Sequence, residues 1–107
     1  MFSTLDDMIV AFSIAPAGPD DTGSYATAVA ESVRIVRASG LPHETNAMFT
    51  NLEGEWDEVM AVLEQCVDAM TANHPRVSLV VKADIRPGHT GQLTAKVDRI
   101  ESLLADD

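Results

Sequence analysis

Carboxylates crowd one short stretch of this chain: Glu53, Glu55, Asp57 and Glu58 fall within six residues. Acids so close suggest two chemistries, oxygen ligation of a cation and proton transfer by a carboxyl pair. A structural reading competes. Glu55, Asp57 and Glu58 coincide with the expected start of a helix, where negative charge is favourable beside the free N–H groups of the first turn. Glu53 stands just ahead of Gly54, at the lip of a strand-to-helix junction, a good place for a binding residue or for one that helps start the helix. Asp20 and Asp21 lie in a Gly/Pro-rich loop without the alternating oxygens of a calcium loop. His43, His74 and His89 all fall at loop or strand ends. Ser13 and Ser24 share no motif with a histidine, so no serine nucleophile is indicated. No zinc-spaced cysteine pair, phosphate loop, dinucleotide fingerprint or His-Glu-x-x-His run occurs. No catalytic set, metal or cofactor is therefore expected.

Composition narrows the partners. Seventeen acidic residues against seven basic ones leave a net charge of -10. Such a chain repels nucleic acid and anionic membranes, and suits a cationic or neutral small molecule. Its 107 residues, 46% of them hydrophobic, make one domain with one modest core. Cys66 has no partner for an internal disulfide and falls on an apolar helical stripe, as a buried thiol would. No apolar run is long enough to span a bilayer, and residues 1–7 lack the basic region and apolar core of a signal peptide. A cytoplasmic protein is expected.

The elements that must hold these residues follow from periodicity. Met8 to Ala15 is apolar at nearly every position and predicts a central strand. Pro16, Gly18 and Pro19 end it. Thr22 or Ser24 is a candidate cap for a helix over 25–39, with Val29, Val33 and Val36 on its buried stripe and Gly40 and Pro42 as its stop. Short strands follow over 43–46 and 49–53, and the change to helix falls near Gly54. Trp56, Val59, Met60, Leu63, Cys66, Val67 and Met70 recur at helical spacing over 55–72. In the strand over 76–86, Val77, Leu79, Val81, Ala83 and Ile85 take the face toward the helices. Ser78, Val80, Lys82, Asp84 and Arg86 take the other. Those alternating charges fit a solvated face, a polar wall around a ligand, or the rim of a subunit contact. A last helix covers 93–104.

This order makes an α+β, ferredoxin-like βαββαβ sandwich with an additional C-terminal helix. Two helices cover one sheet face. Phe12, Ile14 and their neighbours make both faces of the first strand dry, so the open face calls for cover. Association of subunits through their sheets would provide it, and so would the last helix folding across.

Several stretches resemble the small thiamine-binding proteins. They are Met8 to Pro16, Gly23-Ser24-Tyr25, Ser39-Gly40-Leu41-Pro42, Asn46 to Met60 with its Glu-Gly-Glu-Trp-Asp-Glu-Val run, and Lys82 to Arg86. The likeness extends from Met8 to about Ser102. It implies a ferredoxin-like fold, dimers paired as a tetramer through sheet faces, and non-catalytic binding of thiamine or a hydroxymethylpyrimidine near subunit contacts. The alternative is an oligomeric interaction protein that binds no thiamine. The resemblance carries pocket roles to Ser13, Ser24, Asn46, Thr50, Glu53 and Asp84. Phe49 stands where relatives usually have Gly, and Asn51-Leu52 replaces a more β-branched pair. A phenyl ring at position 49 would stack on a ligand or fill part of its space. Glu53 would accept from an exocyclic amine.

Overall fold

The computed structural model describes residues 7–105. The elements are β1 (Asp7–Pro16), α1 (Ala26–Ala38), β2 (His43–Thr45), β3 (Thr50–Glu55), α2 (Trp56–Thr71), β4 (Val77–Ile85) and α3 (Gln92–Leu104). The strands form one sheet in the order β2-β3-β1-β4, every neighbour antiparallel. This is the ferredoxin-like arrangement, with an added helix at the end. The acidic start through residue 6 and the last two aspartates, Asp106 and Asp107, lie outside the described residues.

Alternation along β1 builds the core. Met8, Val10, Phe12 and Ile14 are buried under the helices, against Leu52 of β3, Val36 of α1 and Val59, Val62, Leu63, Cys66 and Met70 of α2. Burial pushes the Cys66 thiol pKa up, opposed only by its donation to the Ser32 carbonyl at 3.7 Å. Ser32 itself is buried where α1 faces α2, four residues before Val36 and so on the same helical face.

The junction differs in detail from its expected form. Strand β3 continues through Gly54 to Glu55, and the helix begins at Trp56. Glu55 stays extended at ψ 158° and closes a capping box with Glu58. The Glu55 carboxylate accepts the Glu58 N–H, and Glu58 Oε1 accepts the Glu55 N–H at 3.1 Å. Gly54 is instead a point of close approach, since a Cβ there would lie 3.3 Å from Leu41 and Val59 side-chain carbons. Trp56 departs from the expected stripe, being 39% exposed. The buried stripe of α2 begins one turn later, at Val59.

The faces of β4 are as expected: Leu79 pairs opposite Ile14 and Val81 opposite Phe12, on the core side. Their cover is not. Leu79, Val81 and Ile85 are each about 40% exposed, because β4 is an edge strand and the buried helix residues pack over β1 and β3. The opposite sheet face presents Ile9, Ala11, Ser13, Ala15 and Val80, in register by alternation. Helix α3 meets this face only near its start, and none of its residues is buried. A smallest dimension of 20 Å fits a sheet and one helix layer.

Candidate functional site

Three segments enclose a cavity of about 580 Å³. They are the later half of β1, the start of α1 and the turn joining β2 to β3. Phe12, Thr50 and Ser32 form its buried floor, while Tyr25 and Met48 stand exposed at its rim. Among the described residues no charged side chain lines it.

Asn46 shapes the turn side. Its Oδ1 accepts the Met48 and Phe49 N–H groups, both at 2.9 Å, and its own N–H donates to the Phe49 carbonyl at 3.0 Å. Two backbone donors require the carbonyl oxygen at that position, which fixes the amide's orientation. The Nδ2 donors take no part in these turn contacts. Thr50 Oγ1 lies 3.4 Å from Thr45 Oγ1, a long contact that leaves room for another partner. Phe49 is half-buried beside them. Volume, a largely apolar lining and a few fixed polar groups are the usual makings of a small-molecule site.

The α1 side is held by a loop folded on Asp20. Its carboxylate accepts the Thr22 hydroxyl at 2.6 Å, the Thr22 N–H at 2.8 Å and the Ser24 N–H at 3.0 Å. The Thr22 hydroxyl, then the Ser24 and Thr22 N–H groups, hold the Asp20 pKa below the usual carboxylate value. Ser24 Oγ accepts the Ala26 N–H at 3.0 Å and so helps begin α1. That leaves the neighbouring Tyr25, rather than Ser24, on the cavity wall.

The residues singled out from sequence thus divide. Asn46, Phe49 and Thr50 meet at the cavity, and Ser13 borders it. By strand alternation the Ser13 side chain shares the opposite face with Ala11 and Ala15. Glu53 and Asp84 lie on that opposite face too, each opposite Ile9 in register. Glu53 is 2% exposed, and both its oxygens are engaged. Oε2 accepts the Gln92 N–H at 2.8 Å and Oε1 the Leu93 N–H at 3.0 Å. The carboxylate caps α3, whose first turn leaves N–H groups unsatisfied. Asp84 forms an exposed ion pair with Lys96 at 3.9 Å. Among the described residues no cluster of three or more His, Cys, Asp or Glu side chains could hold a metal ion.

Tyr25, Met48, Thr45 and Ser32 were not singled out for the site. Met48 carried a signal: a large apolar side chain at a turn tip has no core to join, and it is 73% exposed. Ser32 carried none, since a serine within a helix reads as solvent-facing.

Known proteins align with nearly all of this architecture. A UPF0045 protein of Mycobacterium bovis is 48% identical over 98 residues, 91% of this chain and 94% of that one. A structure of a DUF77 domain from Bacillus cereus superposes with a TM-score of 0.75 at 27% identity, covering 89% of this chain and 91% of the other. The fold recurs in a protein of Thermotoga maritima assigned provisionally to thiamine biosynthesis or salvage, with a TM-score of 0.77 at 19% identity, covering 88% and 98%. Residues 10–101 match the family described as thiamine-binding protein, and the chain belongs to that family.

Proposed function

We propose that this chain binds thiamine or a related hydroxymethylpyrimidine, without turning it over, in the cavity between β1, α1 and the β2–β3 turn. The observation that carries this reading is the meeting of Asn46, Phe49 and Thr50 around one space in a member of the thiamine-binding family. An aminopyrimidine needs a flat apolar surface and a few donors and acceptors at its edge. Phe49 and Tyr25 offer rings for stacking, Asn46 Nδ2 offers donors and Thr50 Oγ1 offers either role. A thiazolium would be met by ring faces rather than by a carboxylate, because Glu53 is held by α3. The protein would then serve as a cytoplasmic carrier, buffer or sensor. Among the described residues no helix is long and apolar enough to cross a membrane.

A second reading rests on a different observation. The open sheet face is only half-buried along β1 and exposed at Val80, and the stripe of Val97, Ile100, Leu103 and Leu104 on α3 is exposed. Cover by further copies, as a dimer of dimers, would bury both, and the chain would act as an oligomeric interaction protein. Isothermal titration with thiamine and with hydroxymethylpyrimidine separates the readings. Saturable binding near one site per chain supports the first. No heat with either ligand, and no competition between them, removes it.

A further inference from the structure

The open face of the sheet carries a groove of its own, across the sheet from the cavity described above. Ile9 and Ala11 of β1 form its floor, and Leu93 and Val97 of α3 an apolar wall. It holds about 200 Å³. The other wall is β4. Lys82 is in register with Ala11 and Asp84 with Ile9, so both side chains share the face of the floor. Lys96 closes the groove from α3. A recess of about 70 Å³ adjoins it, sharing Ile9, Asp84 and Lys96 and adding Arg86.

The charge here runs against that of the chain, which has seven basic residues and seventeen acidic ones. Three of those seven, Lys82, Arg86 and Lys96, line the groove and its recess. Among the described residues Asp84 is the one carboxylate lining them. It meets Lys96 at 3.9 Å with both side chains exposed, a weak kind of pair. Among the described residues neither Lys82 nor Arg86 has an ion-pair partner. Glu53 sits beneath the start of α3, where its oxygens accept the Gln92 and Leu93 N–H groups. Like charges gathered in one place repel, and a bound anion relieves that repulsion.

We propose that this groove binds a small organic phosphate monoester. Its apolar body would lie between the β1 floor and the α3 wall, with its phosphate at Lys82, Arg86 and Lys96. Three cations and one carboxylate leave two positive charges. A phosphate monoester carries nearly two negative ones at neutral pH, whereas a carboxylate carries one. A guanidinium takes two phosphate oxygens at once, and lysine ammonium groups act as point charges beside it. The cavity on the other side of the sheet has no charged lining among the described residues and offers such an anion nothing comparable. The groove is therefore a second site, and it does not rest on the thiamine reading.

Titration of the full chain with phenyl phosphate at low salt, followed by amide chemical shifts, tests it. Saturating shifts are expected at Lys82, Asp84, Gln92 and Leu93, with Asn46 and Thr50 unmoved. Phenol supplies the body without the charge, and inorganic phosphate the charge without the body. Each should bind at least about tenfold more weakly. Lys82→Gln and Arg86→Gln should each raise the dissociation constant for phenyl phosphate about tenfold. Asp84→Asn should lower it about threefold, because it removes the one like charge facing the phosphate and frees Lys96. That gain is a readout that a merely structural role would not give. All three side chains are exposed, so the variants should keep the wild-type unfolding midpoint. Absence of saturation at about 10 mM phenyl phosphate overturns the proposal. So do shifts confined to the Asn46–Thr50 cavity, phenol binding as tightly as phenyl phosphate, unchanged affinity in Lys82→Gln or Arg86→Gln, or weaker binding in Asp84→Asn.

Discussion

The two ends of β3 treat their polar residues in opposite ways. At its start, Thr50 and the preceding Asn46 and Phe49 border open space. At its far end, Glu53 is also buried, yet its carboxylate is filled by two amides of α3. The difference follows from charge. A buried carboxylate without partners is costly, so the fold supplies a helix start. A hydroxyl or amide is cheaper to leave half-satisfied, and such groups can wait for a ligand. The residue that looked most like a ligand contact from sequence is therefore the one with least left to offer.

The largest expected effect tests the cavity's floor. Phe12→Ala should lower unfolding free energy in urea by about 3–5 kcal/mol, the usual result of removing a buried aromatic ring. A loss below 1 kcal/mol, on the order of a surface change, would mean that the floor is loosely packed and the cavity poorly formed. Glu53→Gln comes next, at about 2 kcal/mol, because hydrogen bonds to a charged acceptor are the stronger kind. It should increase hydrogen exchange in the first turn of α3 and leave thiamine or hydroxymethylpyrimidine affinity unchanged. A marked loss of affinity with α3 still protected would reverse the comparison and return Glu53 to the binding site.

Asn46→Ala sharpens the contrast from the other end. Its turn contribution is about 1 kcal/mol, with ligand affinity falling about tenfold and α3 exchange unaltered. Titration calorimetry on the variant reads the ligand effect directly. The smallest effect belongs to the Asp20 loop. The folded Asp20 pKa lies below its ordinary value, so its contribution is fully present above about pH 4. It is lost as pH falls through the lower folded value. Amide chemical shifts at Thr22 and Ser24 should follow that titration, and Asp20→Asn should abolish it.

What could be read from sequence was local. The nearly continuous apolar run of β1, the stop at Gly40 and Pro42, and the helical stripe from Val59 to Met70 depend on neighbours within a few residues. They lie where expected. The role of Glu53 could not be read this way, since its partners Gln92 and Leu93 are 39 and 40 residues away. Trp56 misled for a related reason. Its spacing fits the apolar stripe, but the core begins one turn further along. The faces of β4 were legible from alternation, whereas their exposure depends on strand order, which alternation does not carry. At the cavity, the family resemblance carried Asn46 and marked Phe49 as a departure, while Tyr25 joined them only through the path of the Asp20 loop.

The reach between Glu53 and α3 bears on how the chain assembles. An isolated helix of thirteen residues is marginal in water, and α3 buries none of its own. Its main fixed point is a carboxylate on a strand that must first be placed beside β1. The last helix therefore cannot lodge before the middle of the sheet exists, because closing so long a loop is slow until something waits at its end. In time-resolved refolding, protection of the Gln92 and Leu93 amides should appear last, and so mark the moment at which the sheet is complete.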